Sequence, residues 1–485
     1  MFLIVVAIVN CYRATTQSIT VDEAFAYQRF VSQPFRTSLK TFDAAHHVLH
    51  TFACIFFVRV FGAGPVPLRL TSLLFGFVYL WAVWRLSVRL FPSNWLVLLA
   101  AVLLALNPYV FDFMSAARGY GMALALFAWA VVLLFQFGDE LFLSGQPARW
   151  TITWLAVLAT LAVGANLTFA FPAVTLLAAV TILVYRSAGS VRSIARDIVI
   201  PAALTTCLFA RPLVVAKHDD FYFGAPSLRV TLQSLYAASF DPDWSPMGFS
   251  SDAWAQLQNY LPYLLTYLGI VAILAIARLW KRGKEKNTHS PQRLVLGVMA
   301  SVLFGSVLLT LIGHRVTHMP YPYARTCLYA IFLCSLMVLL ADAQFVRAGQ
   351  PWRTAAYAVT VILILIGGLY CLEFRTQWYG DWKFDASTDK MMRSLGALPR
   401  NSSTTSVHLG TYFAMETTAN FYRELYHYDW LAPVTRDPLS CKDDYLLVRS
   451  LDRPIVDELG FKVLKQDSLS GAILAQRTAE SCAVK

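Results

Sequence analysis

The sequence predicts a polytopic α-helical membrane protein that ends in a soluble α/β domain, and three observations predict it. The first is composition: 57% of the 485 residues are hydrophobic and 14% are charged, where an ordinary globular domain is about a quarter charged. The second is pattern. Apolar runs of roughly 18 to 25 residues, the length that crosses a hydrocarbon core as a helix, recur from the N-terminus to residue 372. The third is the change that follows, because residues 373–485 are mixed, charged and free of any such run.

Spans are expected at 2–18, 66–88, 95–112, 119–137, 150–165, 167–185, 195–215, 259–280, 294–313, 325–342 and 354–372, eleven in all. The opening "MFLIVVAIVN" lacks the basic flank and small-residue cleavage site of a secretory signal, and reads as a short first span. With the N-terminus in the cytoplasm, the loops holding Arg85 and Arg89, "YRSAGSVRSIAR", "WKRGKEKNTHSPQR" and "RAGQPWR" all face the cytoplasm, as the positive-inside rule requires. The net charge of +11 therefore reports topology rather than a nucleic-acid surface, since the basic residues sit in short clusters between apolar runs.

The membrane domain thus covers 1–372, and the opposite side receives the segment 19–65, the loop 216–258, the short "HRVTHMPYPYAR" and the C-terminal domain 373–485. Within 19–65, "HVLHTFACIFFVRVFG" is too short and too interrupted to span, and reads as an amphipathic helix lying along the surface. The C-terminal domain alternates: "STDKMMRSLGAL", "ETTANFYRELY" and "RPIVDELG" helical, "TSVHLG" and "DYLLVRS" strands, "FKVLKQ" and "GAILAQR" a hairpin. Six of the eight cysteines lie in or beside spans, where they act as small apolar residues. Cys441 and Cys482, the pair in the outer domain, are disulfide candidates in an oxidising compartment, with two free thiols as the alternative.

Four features can carry chemistry. Asp22 and Glu23 stand in "ITVDEAFAYQRF", where the first apolar run ends. A carboxylate partly desolvated at a membrane boundary is a better proton acceptor, and two solvated loop acids are the plain alternative. "DAAHHVLH" gathers His46, His47 and His50. His46 and His50 are four apart, the spacing of two metal ligands on one helical face, with Asp22, Glu23 or Asp43 as a third; the alternative is a set of hydrogen-bonding histidines lining a polar pocket.

Arg118 in "SAARGYGMALALF" lies near the outer end of a span, a costly place without an anionic partner. Its planar fork of donors suits a phosphate, while snorkelling or a pair with Asp112 would also account for it. "HRVTHMPYPYARTCLYAIFL" sets Arg315 and Arg325 at an outer boundary beside prolines and tyrosines, the composition of a broken helix end lining a cavity. In the loop 216–258, Trp244, Phe249 and Trp254 beside acids suit either stacking on a sugar or an interfacial aromatic belt. The stronger features share one side of the membrane, where a base beside phosphate-sized positive charge suits transfer of a group from a lipid phosphate to a hydroxyl.

The ordered set "TVDEAFAY", "AHHVLHTFACIFFVRVFG", "PLRLTSLLFGFVYL", "NPYVFDFMSAARGYGMALALF" and "PYPYARTCLYA" resembles the GT-C superfamily of glycosyltransferases that use polyprenyl-phosphate sugars. The likeness is to its protein-mannosyltransferase and aminoarabinose-transferase branch, over residues 15–345, and bacterial members also carry a C-terminal soluble domain. The resemblance implies an inverting transferase of the inner membrane that moves a sugar from a polyprenyl-phosphate donor to a hydroxyl of a protein, lipid or glycan on the extracytoplasmic side. It implies Asp22 as the base with Glu23 in support, and Arg118, Tyr120 and Arg325 as holders of the donor phosphate. Where family members carry a His-Pro-Pro-Leu-Tyr-like motif this chain has "HHVLH", without the prolines and tyrosine. His46, His47 and His50, with Arg315 and Trp244, are then assigned to the acceptor or sugar pocket or to orienting roles. A divalent metal ion, as some relatives use, would take His46 and His50 with Asp22 or Glu23. A secondary transporter or a non-catalytic scaffold of envelope assembly is the competing reading. Against the transporter stand the absence of a repeated pair of interrupted helices and the clustering of charge at one face rather than at midplane.

Overall fold

The structure, a computed structural model, describes residues 1–188, 190–241, 250–282, 291–347, 350, 352–399, 406–478 and 481. Seven helices among the described residues are long and apolar enough to cross a membrane: Pro65–Leu90, Gly119–Ser144, Leu167–Ser187, Ser251–Arg278, Pro291–Thr317, Ala324–Val346 and Trp352–Leu372. An eighth span is counted if Phe2–Thr16 and Val21–Val31, bent by 70° at their break, act as one. The chain is a polytopic helical membrane protein.

Two of the eleven expected spans divide. The run 95–112 divides because Asn107 caps a new helix, Pro108–Asp112: its side chain accepts from the amides of Tyr109 and Val110 at 3.1 and 3.2 Å. What remains upstream is the 12-residue helix Asn94–Ala105. The run 150–165 forms the single helix Arg149–Ala165, with the bounds expected, and ends at Asn166. The run 195–215 stays helical through the π-helical turn Ala195–Val199 and Ile200–Cys207, leaves helical backbone at Phe209 (φ −131°, ψ 1°) and resumes as Ala210–Leu213, with Pro212 removing an amide donor just past the break. Hydropathy alone does not register such breaks. Within "HVLHTFACIFFVRVFG" the structure has a single helix, Val48–Phe61, 14 residues long.

The chain separates into two compact units, Met1–Ile8 with Leu39–His50 and Ser72–Phe374, and Val9–Ser38 with Thr51–Thr71 and Arg375–Lys485. Within the first, the apolar window of Gly119–Ser144 is 89% buried while that of Ser251–Arg278 is 28% buried, so the former is the central stave and the latter is peripheral. Gly121 permits this packing, because a Cβ there would stand 2.0 Å from the carbonyl oxygen of Phe113.

In the second unit, four strands form one sheet: β1 (Leu409–Thr411), β2 (Tyr445–Val448), β3 (Lys462–Gln466) and β4 (Ile473–Gln476), in the order β1-β2-β4-β3. β1 runs parallel to β2, and β4 runs antiparallel to both β2 and β3. The helices Thr388–Gly396, Glu416–Leu425 and Arg453–Glu458 fall where the apolar periodicity places them. Leu446, Val448, Val456, Phe461, Ile473 and Ala475 form the sheet's core. Cys441 is disulfide-bonded, while Cys482 lies outside the described residues.

Leu446 is fully buried in that core, and deleting a buried Leu side chain costs about 2–5 kcal/mol. Leu446→Ala is expected to make the C-terminal segment selectively sensitive to limited proteolysis, at denaturant concentrations where the wild type resists.

Candidate active site

The acid pair is built first by local sequence. "TVDE" forms a capping box: Thr20 Oγ1 accepts the Glu23 amide at 3.3 Å, and Glu23 Oε2 accepts the Thr20 amide at 2.8 Å. The helix Val21–Ala26 that follows passes directly into a π-helical turn, Tyr27–Val31. One residue apart on that helix, the two carboxylates diverge. Asp22 is half-exposed, and Glu23 is completely buried.

Glu23 goes to Arg69, itself completely buried. Arg69 Nε donates to Glu23 Oε1 at 2.9 Å and Nη2 to Oε2 at 2.7 Å, the bidentate fork that planar guanidinium geometry favours. The remaining donors reach the carbonyls of Ala14 at 3.1 Å, Gln17 at 2.8 Å and Ser18 at 2.8 Å. Tyr379 covers the guanidinium with its ring centroid 5.4 Å away. The same segment is held by residues far along the chain: the Ile19 amide donates to Tyr422 Oη at 2.7 Å, and the Val21 amide to Asp385 Oδ2 at 2.7 Å. Nothing in the reading of the sequence marked Arg69 or Asp385. A lone arginine in "PLRLTSLLFG" carried the available signal, since such a charge needs a partner.

The histidine and arginine features assemble in the other unit. His46, His47 and His50 are all buried. His46 Nδ1 bonds the Thr41 carbonyl at 3.1 Å and His50 Nε2 bonds Ser72 Oγ at 3.0 Å. Burial holds His46 down to about 4, against a smaller upward pull from the Thr41 carbonyl, and burial with the Arg118 charge holds His50 down to about 3. Burial, and then the charges of Arg118, His50, Arg325 and His46, keep His47 well below the usual imidazole range. The two arginines of the sequence motifs thus act on one buried imidazole.

The tautomer of His47 follows from its neighbour. Asn166 Oδ1 accepts from the Thr168 amide at 3.0 Å and from Thr168 Oγ1 at 2.7 Å, which turns its Nδ2 toward His47 Nδ1 at 3.2 Å. Nδ1 accepts, so the proton of the neutral ring sits on Nε2. Among the described residues Nε2 is buried with no hydrogen-bond partner. Tyr120 lies against the imidazole, centroids 4.8 Å apart. Gly119 makes the approach possible, since a Cβ there would lie 2.6 Å from His47 Cβ and 2.1 Å from the Ala165 carbonyl oxygen.

Arg118 is buried at the N-cap of Gly119–Ser144. Arg325 lies in the short turn Ala324–Cys327, its guanidinium carbon 4.5 Å from the Phe223 centroid. The proline-tyrosine segment before it is tied down by the bridge between Ala225 and Tyr321, by Thr231 Oγ1 donating to the Pro322 carbonyl at 2.7 Å, and by the Ala324 amide donating to Ser234 Oγ at 2.8 Å. Arg315 is exposed on the last turn of Pro291–Thr317 and is not among the charges acting on His47. Trp254 is buried, whereas Trp244 and Phe249 lie outside the described residues.

The metal alternative does not fit. Among the described residues no three His, Cys, Asp or Glu side chains are grouped to hold an ion. Glu23 already takes three hydrogen bonds from Arg69 and the Thr20 amide, and His50 Nε2 is engaged by Ser72.

No protein-family model matches the sequence, and neither does any curated protein. The structure is similar along nearly its whole length to ArnT from Cupriavidus metallidurans bound to undecaprenyl phosphate, with 15% identity, coverage of 99% of this chain and 98% of that one, and a TM-score of 0.42. Against ArnT from Cupriavidus metallidurans in the apo state the values are 12%, 99%, 98% and 0.41.

Removing one partner of a buried, hydrogen-bonded ion pair costs about 3–5 kcal/mol, because the other charge stays buried alone. Glu23→Gln and Arg69→Met are each expected to lower the apparent unfolding temperature sharply, and the double variant Glu23→Leu with Arg69→Met to lose less than the sum. Unfolding followed by intrinsic fluorescence in detergent checks this.

The histidines set a pH dependence. Each is depressed in the folded protein, so the stability it contributes is complete above the ordinary imidazole value, about 6.5, and is lost as pH falls below it toward 4. The unfolding temperature is expected to hold from pH 8 to about 6.5 and then to fall, with a shallower fall in His46→Gln.

Proposed function

We propose that this protein is an inverting glycosyltransferase of the GT-C type. It moves a sugar from a polyprenyl-phosphate donor to an acceptor hydroxyl at the extracytoplasmic face of a cell's inner membrane. The observation that carries the reading is the cluster around His47: two guanidiniums act on one buried neutral imidazole whose Nε2–H has no partner among the described residues. Positive charge and an unused donor at a span end are what a phosphate monoester or diester requires.

In this reading Arg118 and Arg325 hold the donor phosphate, with His47 Nε2–H as a further donor and Tyr120 fixing the imidazole plane. Because His47 stays neutral, it hydrogen-bonds the phosphate without competing for its proton. Asp22 accepts the acceptor's hydroxyl proton as that oxygen attacks the anomeric carbon. The bond from that carbon to the phosphate oxygen breaks in the same step, its electron pair leaves on the phosphate, and the arginines stabilise the growing charge. Glu23 supports by anchoring the helix of Asp22 through Arg69. The orientation follows from the basic loops expected in the cytoplasm.

The test is release of free polyprenyl phosphate from a panel of polyprenyl-phosphate sugars by purified protein. Wild type is expected to release it, and Asp22→Asn to release it about 100-fold or more slowly, as loss of a general base does. Equal release by both at background rates with every donor overturns the proposal.

A further inference from the structure

Asp385 is 1% exposed and belongs to the turn Gly380–Asp385. Its Oδ2 accepts the amide of Val21 at 2.7 Å, and its Oδ1 accepts the hydroxyls of Thr418 at 3.1 Å and Thr388 at 3.4 Å. Val21 is the first residue of the helix that carries Asp22, and its amide is one of the donors that a helix start leaves without an intrahelical partner. Thr20 caps the Glu23 amide from within the helix. Asp385, 364 residues further along the chain, takes the Val21 amide.

The adjoining contacts fix the approach to the same turn. Gln17 Nε2 donates to the Thr376 carbonyl at 2.8 Å, Ser18 Oγ to the Ala386 carbonyl at 3.1 Å, and the Ile19 amide to Tyr422 Oη at 2.7 Å. Burial pushes the Asp385 carboxyl well above the ordinary range. The three hydrogen bonds pull it back, and the Asp22 charge raises it again. The buried site therefore favours a neutral acceptor over a second negative charge beside Asp22.

We propose that Asp385 is a positioning residue for Asp22. Through the Val21 amide it fixes the start of the helix Val21–Ala26, and with it the direction in which the half-exposed carboxylate points. This rests on Asp22 being the base, so one readout is chosen that does not need the reaction.

The experiment compares Asp385→Asn with Asp385→Ala in the full chain, measuring hydrogen–deuterium exchange across Val21 and Asp22 and the kcat and KM for polyprenyl-phosphate sugar. The Asn amide oxygen still accepts from Val21, and its NH2 meets hydroxyls that can turn to accept. Asp385→Asn is expected to keep wild-type protection and kcat within about threefold, a change too small for a displaced catalytic group. Asp385→Ala is expected to speed exchange at Val21 and to lower kcat, each about tenfold or more, with KM unchanged. If Asp385→Ala does not fold, Asp385→Ser, whose shorter side chain does not reach the amide, takes its place. Wild-type exchange and kcat in the Ala variant overturn the proposal, and so does an Asn variant as damaged as Ala. If no donor is turned over by the wild type, the transferase reading falls, while the exchange measurement alone still decides whether Asp385 holds Val21.

Discussion

The arrangement of the acid pair depends on a single buried guanidinium. Arg69 has five N–H donors, and all five are used: two on Glu23 and three on the carbonyls of Ala14, Gln17 and Ser18. A buried ion pair of this kind is poor evidence of net stabilisation, because desolvating both charges costs several kcal/mol. What it supplies is a unique geometry. Three backbone carbonyls between residues 14 and 18, a carboxylate and a planar fork leave the segment 14–23 little freedom.

That constraint explains why two adjacent acids have different fates. Successive residues on a helix point about 100° apart, so once Glu23 faces Arg69, Asp22 is turned toward the half-exposed side. Asp22 is carried half-buried on an anchored helix start, whereas Glu23 is held by three hydrogen bonds. The capping box, the Arg69 fork and the Asp385 acceptor act on the same few residues and leave few orphan amides at that helix start.

The histidine cluster is governed chiefly by burial. Imidazoles removed from water and set near Arg118 and Arg325 stay neutral, so the positive charge belongs to the arginines and the histidines contribute oriented dipoles. Asn166 decides which nitrogen of His47 carries the proton, and Gly119 decides whether the ring fits at all. A side chain at position 119 or an apolar residue at 166 would change the chemistry offered by His47 without touching its identity.

By itself the sequence determined the membrane class, most of the spans and the alternation of helices and strands after residue 372, because these follow from hydropathy and periodicity along the chain. It also marked Asp22, the histidines, Arg118 and Arg325, since charged and polar residues at span ends stand out against apolar runs. It did not settle where spans break: the cap made by Asn107 and the missing amide of Pro212 are local hydrogen-bonding events to which summed hydropathy is blind. Nor did it pair Glu23 with Arg69 or connect Val21 to Asp385. Those assignments join residues 46 and 364 positions apart. Only the tertiary structure decided them, because a buried charge or an orphan amide is satisfied by whichever group the fold brings within about 3 Å, and spacing along the chain does not encode that.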